Sequence, residues 1–237
     1  MEQRLIPERF RVLSGSMLKL IAVFTMLIDH VAANFLQDAG IVLFRVFNHD
    51  VTLYYCMRSI GRLAFPLFAF LLVEGFLHTH DKKRYGISLA ILAVVSELPW
   101  NLVHEGKLFC GTQNVMFTLL AGFLALCAIE RFKDNAAMLF VVLSSLFVAV
   151  LVLKTDYSCR GYCFVILLYM LRNMPVVRAV AGSAVLPSLW VGGLAFVPIA
   201  FYNGKRGFIR GRIWQYMFYA VYPVHMFIMY LFKYVIQ

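Results

Sequence analysis

One stretch limits the possible folds more than any other: the apolar run MLKLIAVFTMLIDHVAANFL at residues 17–36. As an α-helix rising 1.5 Å per residue it covers about 30 Å, the thickness of a bilayer's hydrocarbon core, so it is expected to cross a membrane. Asp29 and His30 nevertheless fall inside it, where an ionisable group is costly and must find a partner or line a wet cavity. Lys19 and His30 are eleven residues apart, which at 100° per residue returns them to nearly the same helix face, about three turns apart. A polar residue that merely finds a partner in a bundle accounts for one such group; two adjacent ones favour a functional reading.

Similar runs recur along nearly the whole chain. Of its 237 residues 62% are hydrophobic and 14% charged, unlike a soluble domain. The expectation is an all-α fold, a polytopic transmembrane helix bundle of about eight spans (seven to nine), forming a single integral membrane domain over residues 1–237. The net charge of +10 sits in short clusters between the apolar runs, which marks cytoplasmic loops and not a nucleic-acid surface. The basic segment 1–16 is accordingly expected in the cytoplasm, with the chain crossing the membrane several times. The N-terminal run imitates a secretory signal, but Asp29 and His30 argue against cleavage. Five cysteines lack the paired CxxC spacing of a zinc site, and no metal is expected.

Residues 41–56, interrupted by Arg45, His49 and Asp50, read as an interfacial or re-entrant segment. Further spans are expected at 60–77, at 87–103 with Glu97 and Pro99, from Asn114 to the linker ERFKDN, at 136–153, at 164–171, and at 213–232 with Tyr222, Pro223 and His225. Pro187, Gly192, Gly193 and Pro198 interrupt 175–202. Read as two half-spans, that stretch returns Lys205, Arg206, Arg210 and Arg212 to the side of the other basic loops; read as one span, it does not.

Arg58 and Arg62 lie one turn apart where the second span begins. Arg58 suits the interface, whereas Arg62, beside Phe65, Pro66 and Phe68, must find carboxylates, carbonyls or a phosphate. Asp29 points about 100° away from His30 and is expected to pair across the bundle, with Arg62 as partner. Asn114 fits a helix cap as well as a site, and Asp156 and Tyr157 fit a solvated turn as well as a pocket lining. Glu97 fits a structural role beside Pro99. His225 is a second intramembrane histidine and, with His30, suggests a shared wet cavity. The loop NGKRGFIRGR offers glycine amides and four cations to an anion, or serves topology alone.

Together, LKLIAVFTMLIDH, IGRLAFPLFAFLLVEGF, SELPWNL, QNVMFTL, TDYSCRGY, FYNGKRG and FYAVYPVHMFIMYL resemble the TraX family, bacterial membrane proteins named for the acetylase of the F-type conjugative pilin. That family is similar to wider groups of membrane acyltransferases in which a basic residue, ten intervening positions and a His on the first helix mark the active site. Lys19 and His30 fit the spacing, with Lys where the relatives have Arg, and Ser158 stands where Gly is expected after Tyr157. The resemblance implies acyl transfer from acetyl-CoA or another acyl-CoA to an amine or hydroxyl acceptor: a pilin-like protein, a small molecule or a saccharide. On that reading His30 is the general base, since an imidazole titrates near neutrality. His225, Tyr222 and Tyr157 line the cavity, Arg62 or Asn114 steadies the oxyanion, and Lys19, Lys205, Arg206 and Arg210 hold CoA phosphates. A proton-coupled transporter uses similar intramembrane charges, and a non-catalytic partner in conjugation or pilus assembly uses them to lock helices. Both stand as alternatives.

Overall fold

The computed structural model describes residues 6–47, 49–186, 189–209 and 211–236. Five of the described helices begin at a side-chain cap. Ser14 opens α1 (Gly15–Val31) by accepting from the Met17 amide, and Thr52 opens α2 (Leu53–Gly61) by accepting from Tyr55. Asp81, Asn114 and Asn135 open α4 (Lys82–Glu105), α5 (Val115–Arg131) and α6 (Ala136–Val152) in the same way. Each cap satisfies an amide for which the first helical turn has no acceptor. Between α2 and α4 runs α3 (Ala64–His78). After α6 come α7 (Ser158–Met170), α8 (Pro175–Val185), α9 (Leu189–Leu194), α10 (Phe196–Ala200) and α11 (Arg212–Leu231). The ends of α1 and α11 widen into π turns at Ala32–Leu36 and Phe232–Ile236.

Among the described residues, four helical runs are long and apolar enough to cross a membrane: Gly15–Leu36, Leu53–His78, Lys82–Glu105 and Ile213–Ile236. With the shorter apolar helices α6, α7 and α8 beside them, the chain is a polytopic helical bundle. Its excursion from helix is an antiparallel hairpin in the 41–56 stretch, β1 (Val42–Val46) against β2 (His49–Thr52). Valine, phenylalanine and threonine favour extended backbone there, and Arg45 Nε donates to Asp50 Oδ1 across the pair at 2.5 Å.

The 175–200 stretch is divided into α8 and the short pair α9 and α10, which fits the half-span reading. The segment after α10 lies against the start of α1: Leu13 N–H donates to Phe201 O at 3.0 Å, Gly15 N–H to Lys205 O at 2.8 Å and Ser16 N–H to Arg206 O at 2.9 Å. The bundle thus has a basic end, where α1 begins, and a far end. At the far end Lys233 Nζ donates to Val103 O at 3.2 Å and reaches Asn34 Oδ1 at 3.5 Å.

Inside, α5 packs on α4 and α7, α1 on α2 and α3, and α11 along α4. Phe76 meets Phe123 and Tyr169 edge-on, with centroids 5.6 and 5.8 Å apart, the arrangement that ring quadrupoles prefer. Where the outer faces meet lipid, close packing of small residues holds helices together in place of apolar burial. Gly61 is the sharpest case: a Cβ there would lie 2.2 Å from Asp29 Cβ and Oδ1, so α1 and α2 cross at a distance only a hydrogen permits. Gly61→Ala should therefore cost about 1–3 kcal/mol by overpacking. The check is the thermal midpoint of the detergent-solubilised protein, which should fall; an unchanged midpoint would show a looser crossing.

Candidate active site within the bundle

The two intramembrane histidines meet. His30 Nδ1 and His225 Nε2 are 2.6 Å apart, a hydrogen bond between α1 and α11. Their rings are nearly parallel at 3° with centroids 4.9 Å apart. Tyr222, one turn earlier on α11, places its ring 6.3 Å from His30 and 5.6 Å from His225. His225 and Tyr222 are buried, and His104 of α4 and Arg58 lie within electrostatic range of His30.

Asp29 does pair across the bundle, but its partner is Arg58 and not Arg62: Arg58 Nη1 donates to Asp29 Oδ2. The reason is the crossing at Gly61. It seats α1 on α2 itself, within reach of Arg58 in the last turn of that helix, whereas Arg62 lies beyond the helix end, where its backbone N–H caps α2. Arg58 is therefore an interior residue and not only an interfacial one. The Arg62 guanidinium has no hydrogen bond or ion pair among the described residues, yet sits in the field of Asp29, Asp156 and Tyr157.

Asp156 and Tyr157 belong to the turn between α6 and α7, pinned by its neighbours. Asp156 N–H donates to Gln113 O at 2.9 Å, and the Thr118 hydroxyl donates to Asp156 O. The Tyr157 ring stacks on Phe65 at 3.9 Å. Withdrawal from water pushes the Asp156 carboxyl up to about 6, with the Tyr157 amide opposing and the nearby Asp29 adding to the rise.

Asn114 caps α5 through Oδ1, and its Nδ2 donates to Glu97 Oε2 at 2.5 Å and to Ala93 O at 2.9 Å. Its donors are consumed, so of the two groups expected to steady an oxyanion only Arg62 keeps free N–H groups. Glu97 was not among the expected site residues, yet it ties α4 to α5 and lies near the Tyr222 hydroxyl. On the same stretch of α4, the buried atoms Ser96 Oγ, Glu97 Oε1, Trp100 Nε1 and Asn101 Oδ1 have no hydrogen-bond partner among the described residues. Buried polar atoms are nearly always satisfied, so this wall suits a polar ligand.

The expected phosphate-binding residues form a separate group. Lys19 is half-buried within the field of Arg206, while Lys205 and Arg206 are exposed at the basic end. Arg210 lies outside the described residues. Eleven residues of helix put Lys19 about 16 Å from His30 along α1. The structure thus brings Asp29, His30, Arg62, Tyr157, Tyr222 and His225 to one region with Asn114 beside them, and adds Arg58, Glu97 and His104. Of these, Arg58 was signalled by its spacing from Arg62, Glu97 by its place next to Pro99, and His104 by nothing local.

No group of three or more His, Cys, Asp or Glu among the described residues could hold a metal ion. The fold and the site define a class: a multi-span helical membrane protein with a charged, histidine-bearing interior. Within that class the chain belongs to the TraX family, whose protein profile matches residues 14–233. It is 30% identical over 241 residues to the probable fimbrial assembly protein FimC, serogroup H1, of Dichelobacter nodosus, over 90% of this chain and 92% of that one. No solved structure matches it.

Two measurements probe the site. Arg58→Met leaves Asp29 without its partner and should destabilise the fold by about 3 kcal/mol, whereas adding Asp29→Asn should restore most of the loss; equal midpoints for the single variant and the parent would show an inert pair. For Asp156, the folded state holds the proton more tightly than the unfolded chain does. Its stabilising contribution is therefore complete below about pH 4 and lost as pH rises through about 6. Asp156→Asn should raise the thermal midpoint relative to the parent by more at pH 8 than at pH 5, and a gain equal at both pH values would contradict that origin.

Proposed function

We propose that this protein is a membrane-embedded acyltransferase, an acetyltransferase in its simplest form, moving an acyl group from acyl-CoA to an amine or hydroxyl acceptor. The observation that carries the reading is the His30–His225 contact, set in the bundle interior beside the Asp29–Arg58 pair. Family membership supports it. The alternation of basic and far ends supports an orientation in a bacterial plasma membrane with the basic end, and so the N-terminus, in the cytoplasm. Lys82, Lys83, Arg84, Arg131, Lys133, Lys205 and Arg206 all belong to turns or helix ends on that side.

The chemistry asks each residue for one task. His30 takes the proton as the acceptor's amine or hydroxyl attacks the thioester carbonyl, and returns it to the departing CoA thiolate, so protons balance over the cycle. Arg62, with unspent donors, faces the charge that develops on the carbonyl oxygen. Lys19 and Arg206, two cations within each other's field, suit CoA phosphates, with Lys205 beside them in sequence. The open polar atoms of Ser96, Glu97 and Trp100 suit the acceptor.

The name of the D. nodosus relative favours a second reading, a non-catalytic partner in assembling a surface appendage, with a pilin-like protein as its client. Incubating solubilised protein with labelled acetyl-CoA and envelope extract separates the two. Acyl transfer predicts label in an extract component and a loss of at least about 100-fold in His30→Ala. Label transfer by His30→Ala at the parent rate removes His30 from the mechanism, and no transfer by the parent favours the assembly role.

A further inference from the structure

The histidine contacts fix where the protons lie. His225 Nδ1 is 2.7 Å from the carbonyl of Val221, four residues back on α11. A carbonyl only accepts, so Nδ1 of His225 carries a hydrogen. In a neutral imidazole the other nitrogen is then bare, and it is this Nε2 that sits 2.6 Å from Nδ1 of His30. Two nitrogens at that distance need one hydrogen between them, and only His30 is left to supply it.

The opposite polarity needs His225 doubly protonated. That places an imidazolium in an apolar bundle against His30, with Tyr222 alongside, His104 and the Arg58 guanidinium near the pair, and no carboxylate bonded to either ring among the described residues. Two other histidines of the chain behave differently from His30. His78 and His104 place Nδ1 on the carbonyl four residues back, Glu74 at 2.8 Å and Trp100 at 3.0 Å, whereas Nδ1 of His30 leaves its own helix for His225.

We infer that His225 is a positioning residue that locks His30 in the tautomer with hydrogen on Nδ1, so that Nε2 of His30 is the nitrogen that takes the acceptor's proton. The inference rests on the acyl-transfer reading for its chemistry but not for its geometry. The chain Val221 carbonyl, His225, His30 works as a carboxylate and histidine do in a hydrolase triad: the outer partner orients the ring and selects which nitrogen is bare. When His30 gains the proton, its Nδ1–H bond to His225 becomes charge-assisted and stronger.

Two variants and two readouts test this. In His225→Gln the side-chain amide oxygen replaces Nε2 as acceptor; in His225→Leu volume is kept and the acceptor is lost. With labelled acetyl-CoA and envelope extract, Leu should lower turnover by about 100-fold or more and Gln by no more than about 10-fold, with the KM for acetyl-CoA unchanged in both. Equal losses in the two, or a harmless Leu, overturn the inference. The second readout needs no turnover: nitrogen-15 NMR of histidine-labelled parent protein in micelles should show a bare Nε2 on His30, and His225→Leu should mix the tautomers. A bare Nδ1 on His30 in the parent overturns the lock; a bare Nε2 without any acyl transfer leaves the lock standing and removes the enzymatic reading.

Discussion

The interior of this bundle rests on one demand: a charge withdrawn from water has to be matched where it lies. Asp29 meets that demand through Arg58, and the pair fixes how α1 crosses α2. Gly61 makes the approach close enough, and the neighbouring residue on α1 then inherits its direction. Because consecutive helical side chains diverge by about 100°, Asp29 turned toward α2 leaves His30 turned toward α11. One ion pair thereby sets the register on which the histidine contact depends.

A second restraint comes from the turn between α6 and α7. Lys154, Tyr157 and Ser158 all have positive φ, at 49°, 60° and 41°, a region costly for residues with a Cβ. The turn persists because Gln113 and Thr118 grip its backbone. The same geometry explains the glycine that the family motif leads one to expect at this point: Ser158 occupies a left-handed conformation that glycine adopts without strain and serine does not. Local backbone cost is accepted there, and the turn holds Asp156 and Tyr157 against the charged interior.

Much of this was legible from residues alone, and the failures have physical causes. Asp29 and His30 stood out because an apolar helix leaves ionisable groups conspicuous, and the cap at Asn114 followed from side-chain chemistry. The choice between Arg58 and Arg62 was not legible. Both share a face, and only the crossing point of α1, a tertiary quantity, separates them. Asn114 read correctly as a cap, but its bond to Glu97 joins residues on different helices and leaves no local trace. The hairpin at Val42–Thr52 was obscured because a short apolar run fits a strand or an interfacial segment equally well. Pro198 and the paired glycines signalled that the 175–200 stretch is not one long helix: Gly192 and Gly193 fall within the short α9, and Pro198 in the first turn of the short α10, where its missing N–H costs nothing.

At the basic end, the first amides of α1 are already engaged by the carbonyls of Lys205 and Arg206, and Ser16 Oγ accepts from the Ile209 amide. The positive pole of that helix is thereby turned inward, onto its own chain. An anion arriving at this surface meets ammonium and guanidinium groups on long, pliant stems, and not the first amides of α1. Such a surface discriminates by valence more than by shape, and its grip weakens as counterions crowd in.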